Sequence, residues 1–267
     1  MRYTMTSRRI KFGIFAFLLL AVLLVCGAMV GREIFSRQKE KEDFEQLVQM
    51  VTIRSTPAPT PTGAPSASAA PEETPTPQPE VAEKPARDLS QLFAMNDDFV
   101  GWLCIPGTDI NYPVMHTTDD PERYLRRNFD GEYSESGVPF LDFRCSLDSD
   151  NLIIYGHNMM NGTMFAELRG YVNEVFCNEH PIIEFQTETA CNQYKVFAVV
   201  QVKSNDEWYR FITAEKEEDF NKGVEKITGK ALFTNGDIPA YGRQLLTLST
   251  CYDSAHNGRL LIISAKI

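Results

Sequence analysis

A proline-rich segment in the first third of the chain limits where a folded domain can lie. Residues Ser55–Arg87 hold nine of the fifteen prolines in this 267-residue chain and contain no aromatic residue. Such a segment cannot bury enough apolar surface to offset the entropy lost on folding. As an extended, polyproline-like spacer at about 3.1 Å per residue, it would reach roughly 100 Å. The sequence therefore predicts a disordered linker over residues 55–87 and a folded domain over residues 88–267.

A long uncharged segment lies near the N-terminus. Residues Phe12–Val30 carry no charged side chain, and as a helix they would span roughly 28 Å, close to the hydrocarbon thickness of a bilayer. Four basic residues lie within the first eleven positions, which by the positive-inside rule keeps residues 1–11 in the cytoplasm. The prediction is a single transmembrane helix over residues 12–30, a cell-membrane location and an extracellular domain. A cleaved signal peptide is the alternative, but the apolar run is longer than a usual signal core.

A charged segment connects this apolar run to the linker. Within residues 31–54, Phe44, Leu47 and Val51 recur at partly helical spacing among charged residues. This pattern predicts a juxtamembrane helix or a loosely ordered stalk.

The predicted domain is acidic. Residues 88–267 contain 15 Lys and Arg against 27 Asp and Glu, a net charge of −12. That balance argues against nucleic acid or an anionic membrane surface as the domain's partner. A cationic or amine-bearing partner fits better, and a purely solubilising role for the acidic surface is the alternative.

The pattern of apolar residues in the domain is mainly that of β-structure. Eight short runs rich in Val, Ile, Leu and aromatic residues are separated by Gly, Pro, Asn and Asp; they cover residues 101–105, 110–115, 137–143, 151–157, 181–187, 193–202, 243–251 and 259–267. Eight such strands predict a closed or nearly closed barrel.

Three helices are predicted around the barrel. One is short and opens the domain, with Leu89, Leu92 and Phe93 on one side. A second covers residues 164–172. The third is inserted between the sixth and seventh strands, within residues 214–232, where apolar residues recur at helical spacing on a charged background.

The number and spacing of the cysteines limit their chemistry. Outside the apolar segment, which contains Cys26, the chain has five: Cys104, Cys145, Cys177, Cys191 and Cys251. An odd number leaves at least one free thiol. No C-x-x-C pair occurs, and the spacings between the cysteines do not match those of zinc ligands, so no metal is predicted. Disulfides among the first four domain cysteines stay open, with buried free thiols favoured.

One cysteine stands in the context expected of a nucleophile. Cys251 ends an alternating apolar run, is followed by a polar loop, and lies eight residues before Arg259. A thiol needs a nearby base or cation because it is only slightly ionised at neutral pH. All four histidines are candidates, of which His116 and His180 fall at loop or turn positions. The two others are His157, directly after an apolar strand and a glycine, and His256, in the loop beyond Cys251. The residues alone leave both open, with a modest preference for His157.

The same motifs resemble those of the sortase family. The sequences "LIIYGHN" and "TLSTC", with the arginine that opens the last strand, resemble sortases in general. The sequences "DDFVGWLCIPGTDINYPVM", "YLRRNFDGEYSESGVPFLDFR" and "YGHNMMNGTMFAEL" resemble class B sortases in particular. The resemblance covers essentially all of residues 88–267. It implies the eight-stranded sortase β-barrel with peripheral helices, and it implies the catalytic set Cys251, His157 and Arg259, which decides against His256.

The resemblance also implies a function. A membrane-anchored cysteine transpeptidase would cleave the sorting signal of a secreted protein through a thioacyl-enzyme intermediate. It would then transfer the acyl group to an amine of a peptidoglycan precursor or of a pilin, with no cofactor. Leu125, Ser249, Thr250 and Tyr209 are the predicted substrate-binding residues. The sorting motif is open between NPxTN-like and LPxTG-like patterns, and the alternative functions are a secreted cysteine protease and a non-catalytic wall-binding barrel.

Overall fold

The computed structural model describes residues 38–53, 87–236, 238–253 and 256–267, together with the isolated positions 20, 24, 26, 27, 31 and 34. Across this part of the chain, no helix is both long and apolar enough to cross a membrane. The transmembrane helix predicted over residues 12–30 and the linker predicted over residues 55–87 fall almost wholly outside it and stay predictions. Residues 38–50 are helical, within the segment predicted as a juxtamembrane helix or stalk.

A small antiparallel sheet lies at the start of the domain. Strand β1 (Thr52–Ile53) pairs with strand β2 (Arg87–Asp88). The side chain of Gln186, on the barrel, exchanges two hydrogen bonds with the backbone of Arg87: Oε1 accepts from N at 2.8 Å and Nε2 donates to O at 2.6 Å. These bonds attach the end of the predicted linker to the barrel.

Nine further strands form the main sheet. They are β3 (Phe99–Cys104), β4 (Asn111–Met115), β5 (Phe140–Leu141), β6 (Asn151–Tyr155), β7 (Ile182–Gln186), β8 (Cys191–Lys203), β9 (Ala231–Thr234), β10 (Leu245–Asp253) and β11 (Gly258–Lys266). Their order is β11-β10-β6-β5-β4-β3-β7-β8-β9, and β11 also pairs with β8. This last pairing closes eight strands into a barrel, which confirms the predicted mainly β, eight-stranded fold.

The ninth strand was not predicted. β9 lies partly within the segment predicted as helix, and it pairs with β8 at residues 198–200. Because β8 is 13 residues long, one of its edges accommodates both β7 and β9 while the other edge pairs with β11. A long strand that pairs with several partners is not evident from its own sequence.

The helices around the barrel partly follow the prediction. Helix α1 (Ser90–Met95) opens the domain, α2 (Glu174–Glu179) was not predicted, and α3 (Glu217–Thr228) is the inserted helix. The helix predicted over residues 164–172 is instead a 3-10 helix over Ala166–Val172. Two further 3-10 helices, at Arg123–Arg126 and Glu207–Arg210, were not predicted.

Helix α3 covers one outer face of the barrel. Its apolar residues Phe220, Val224 and Ile227 are buried, as their spacing predicted, and they pack in one cluster with Leu261 and Ile263 of β11. The alternating neighbours 260 and 262 are also fully buried, and successive side chains of a strand point to opposite faces. The stretch from Leu260 to Ile263 is therefore apolar at every position because both faces of the strand are covered there.

Candidate active site

The nucleophile candidate lies where strand β10 leaves the core. The residues from Leu245 to Thr250 are buried, whereas Cys251 is half-buried. In the antiparallel pairing of β10 with β11, Cys251 lies directly opposite Arg259. Side chains at directly opposite positions point to the same face and have Cβ atoms about 4.5–5.5 Å apart. The strand register thus brings the thiol and the guanidinium together.

The candidate histidine reaches the same place from the other side of β10. Strands β6 and β10 are parallel, and their last register pair joins Tyr155 to Ser249. His157 and Cys251 each follow that pair by two residues, so they lie at the same end of the two strands. Beyond the pair, Gly156 N donates to the Ser249 carbonyl at 3.1 Å, and Thr250 Oγ1 donates to the Gly156 carbonyl at 2.8 Å.

The His157 ring is oriented by a backbone carbonyl. Its Nε2 lies 2.9 Å from the carbonyl oxygen of Leu125, and because a carbonyl only accepts, Nε2 carries the proton and Nδ1 is the other ring nitrogen. Burial lowers the pKa of His157 below its usual value, and the positive charges of Arg126 and Arg259 lower it further, against the bond to Leu125, which raises it. A lowered pKa makes the imidazolium a stronger acid.

The seven residues predicted for the site line one groove. Leu125, His157, Tyr209, Ser249, Thr250, Cys251 and Arg259 all border a groove with a volume of about 500 Å³. Tyr209 and Ser249 contact each other there, with 2.8 Å between the phenol oxygen and the hydroxyl oxygen. Burial raises the pKa of Tyr209 to about 12, so this phenol is neutral at physiological pH.

The rival histidine lies outside this groove. His256 Nδ1 is 2.7 Å from Asp253 Oδ2, and the histidine side chain is 82% exposed. The residues that line the groove do not include it. Its contact with Asp253 is therefore a solvent-exposed one.

Sequence reasoning missed several residues in the groove and beside it. Asn158 Nδ2 donates to the Cys251 carbonyl at 2.8 Å, which ties the loop after the histidine to the strand that bears the thiol. Asp142, Arg144 and Tyr155 also line the groove. A signal was available for some of them, because the "FLDFR" sequence places an acid and an arginine two residues apart directly after an apolar run.

In the described part of the domain, none of the other cysteines forms a disulfide. Burial raises the pKa of Cys145 to about 11, and burial likewise raises the pKa of Cys177. The disulfides that the sequence left open among Cys104, Cys145, Cys177 and Cys191 are not formed. In the described residues, no group of three or more His, Cys, Asp or Glu side chains is arranged to hold a metal ion.

The chain is similar to known proteins of one family. A model of the sortase domain matches residues 103–267. The chain belongs to the sortase family. A sortase B of Listeria monocytogenes is 32% identical over 166 residues, which is 61% of this chain and 67% of that protein.

Solved sortase structures share the fold. A Staphylococcus aureus sortase B–substrate complex aligns with a TM-score of 0.63 and 30% identity, over 67% of this chain and 84% of that one. A sortase B complexed with triglycine aligns with a TM-score of 0.62 and 30% identity, over 67% of this chain and 85% of that one. These relatives confirm the predicted class B sortase, and with it a cysteine transpeptidase.

Proposed function

We propose that this sortase is anchored in the cell membrane by residues 12–30 and acts on the sorting signals of secreted proteins. It cleaves the signal through a thioacyl-enzyme intermediate and transfers the acyl group to an amine of the cell wall or of a pilin. The observation that carries the proposal is the meeting of Cys251, Arg259 and His157 in one groove.

In the first half-reaction, the Cys251 thiolate attacks the scissile carbonyl carbon of the sorting signal. A C–S bond forms and the carbonyl π electrons move to oxygen, where Arg259 donates hydrogen bonds to the oxyanion and to the substrate backbone. When the oxyanion collapses, the C–N bond breaks and the His157 imidazolium gives its proton to the departing amine. A thioester and a neutral imidazole remain.

In the second half-reaction, an incoming amine attacks the thioester carbonyl. The new C–N bond forms, the amine proton passes to His157, and the Cys251 thiolate leaves. Support for an amine acceptor comes from the net charge of −12 over residues 88–267 and from the triglycine that a similar sortase B structure contains. Peptidoglycan precursors and pilin lysines both supply such an amine.

The test measures how the intermediate divides between amine and water. Purified protein is incubated with fluorogenic peptides of the NPxTN and LPxTG patterns, with and without triglycine. We expect triglycine to be incorporated into the acyl product, and we expect Cys251→Ala to abolish turnover. A matched control is Cys191→Ser, because Cys191 is an exposed thiol and does not line the groove.

Two outcomes would contradict the proposal. Release of acyl product to water with no incorporation of triglycine would indicate a cysteine protease. Turnover by Cys251→Ala at the wild-type rate would show that this thiol is not the nucleophile. The anchor has its own test: recovery of a mature soluble form that begins near Gly31 would indicate signal-peptide cleavage instead.

A further inference from the structure

A buried carboxylate lies in the groove away from the three proposed catalytic side chains. Asp142 is 4% exposed, and Arg144 contacts both of its oxygens, with Nε 2.8 Å from Oδ1 and Nη2 2.6 Å from Oδ2. The Tyr155 hydroxyl donates to Oδ2 at 2.7 Å. The carboxylate therefore accepts a bidentate, charge-assisted contact and a phenol at once, which fixes its geometry strongly.

The same arginine also contacts the backbone of a second groove residue. Arg144 Nη2 also donates to the backbone carbonyl of Tyr209 at 2.7 Å. The Tyr155 and Tyr209 rings are stacked, with centroids 6.0 Å apart and an interplanar angle of 22°. The Tyr209 hydroxyl lies 2.8 Å from Ser249 Oγ, two residues before Cys251 on the same strand. A continuous series of contacts thus connects Arg144 to the strand that bears the thiol.

The charge state of Asp142 favours this arrangement. Burial by itself would raise the pKa of Asp142, but hydrogen bonds from Arg144 and Tyr155 outweigh burial and lower the pKa. The acid is therefore ionised at neutral pH and holds both partners. Burial and the neighbouring Asp142 charge raise the pKa of Tyr155, so its phenol keeps the proton that it donates.

Neither Asp142 nor Arg144 contacts the proposed catalytic side chains. Within the described residues, no hydrogen bond or ion pair joins either of them to Cys251, His157 or Arg259. Both tyrosine hydroxyls point to protein partners, so the rings form a wall whose position depends on those partners. We propose that Asp142 and Arg144 are positioning residues that hold the Tyr155–Tyr209 wall in the orientation in which the substrate peptide binds. This inference rests on the proposed function, since it requires the groove to bind the peptide.

The test separates substrate binding from chemistry. Three variants are compared with wild type in the fluorogenic peptide assay. Tyr155→Phe removes one donor, and Asp142→Ala removes the carboxylate. Arg144→Lys keeps the charge but cannot make the two-nitrogen contact that Nε and Nη2 make with the carboxylate. We expect KM to rise about tenfold, the scale of losing a hydrogen bond to a charged group. We expect kcat to stay within about twofold and the rate of Cys251 alkylation by iodoacetamide to stay unchanged, since the catalytic side chains are not moved.

A matched control removes a phenol hydroxyl elsewhere. The Tyr194 hydroxyl donates to Gln244 Oε1 at 2.8 Å, and Tyr194 is fully buried away from the groove. Tyr194→Phe should lower the melting temperature to about the extent that Tyr155→Phe does, with KM unchanged. If Asp142→Ala does not fold, Tyr155→Phe and Arg144→Lys still carry the test.

Two results would overturn the inference in distinguishable ways. Lower melting temperatures with an unchanged KM in Tyr155→Phe and Arg144→Lys would show that the network only stabilises the fold. A wild-type protein that turns over neither peptide would overturn the proposed function, and this inference with it.

Discussion

Cys251 and Arg259 occupy directly opposite positions on the antiparallel strands β10 and β11. Beyond this pair the register shifts before Asp253 meets Gly258, so the two side chains form the last regular pair before the connecting loop. The thiol and the guanidinium are therefore held by the sheet itself rather than by a loop. A rigid scaffold is where precise placement of hydrogen-bond donors is easiest to maintain.

Replacing Arg259 with Lys tests whether this residue acts through geometry or through charge. Lys supplies the same unit charge but lacks the planar pair of donors. We expect kcat to fall by about 10², the scale of losing an oxyanion donor. The measurement is kcat and KM alongside the pH dependence of Cys251 alkylation, with Arg243→Lys, at the other end of the barrel, as control. A near-normal kcat would rule out the donor role, and a large change in the alkylation profile would favour simple electrostatics.

His157 should make folding stability depend on pH. Its pKa in the folded protein is lowered, so the unfolded chain binds the proton more readily, near an ordinary pKa of about 6.5. The contribution of His157 to the free energy of unfolding is then fully present above about pH 6.5. This contribution is lost as the pH falls from there through the folded pKa. Urea unfolding is measured for wild type and His157→Gln between pH 5 and 8. The free energy of unfolding should fall less with decreasing pH in the variant than in wild type. Equal losses in both proteins would contradict the burial effect.

The amide of Asn158 should matter for turnover because it links the two catalytic segments. Its bond to the Cys251 carbonyl is 2.8 Å long. Asn158→Ala should lower kcat several-fold, in line with the ~1 kcal/mol net value of a hydrogen bond. Asn158→Asp should do more harm, because a carboxylate cannot donate to that carbonyl. The control is Asn161→Ala, in the same loop, because the Asn161 side chain bonds only to Thr163 within the described residues. Equal effects on kcat at positions 158 and 161 would contradict the role of the bond to the Cys251 carbonyl.

Gly156 should not tolerate a side chain. A Cβ at this position would lie 2.6 Å from ring carbons of Phe165, and Phe165 N donates to the His157 carbonyl at 2.8 Å. Gly156→Ala should therefore destabilise the fold by ~1–3 kcal/mol, as overpacking does, and lower kcat by displacing His157. Thermal unfolding and peptide turnover measure the two effects. The control is Gly229→Ala, where the atom nearest to the new Cβ would be Glu225 O at 3.3 Å, and its effect on stability should be nearly neutral. An equally small effect of Gly156→Ala would contradict the predicted clash with Phe165.

Much of the fold was predictable from local patterns. Every one of the eight apolar runs overlaps a barrel strand, and the spacing of Phe220, Val224 and Ile227 identified the buried face of α3. The run at residues 137–143 shows the limit, since only Phe140 and Leu141 form a strand. Directly after the strand, the Asp142 side chain bonds to Arg144 and Tyr155, and these bonds have no periodic signature in the sequence.

The site was predictable to a similar degree. The sequence by itself determined a nucleophile candidate at the end of a strand, an arginine at the start of the next one and, through the family resemblance, the choice of His157 over His256. Only the tertiary structure decided that β10 lies between β6 and β11 and that Leu125 orients the histidine. It also decided that Asn158 bonds to the Cys251 carbonyl and that Asp142 and Arg144 line the groove. The physical reason is that alternation of apolar residues sets which side chains face the core. Strand order and side-chain hydrogen bonds depend instead on contacts between residues far apart in the chain.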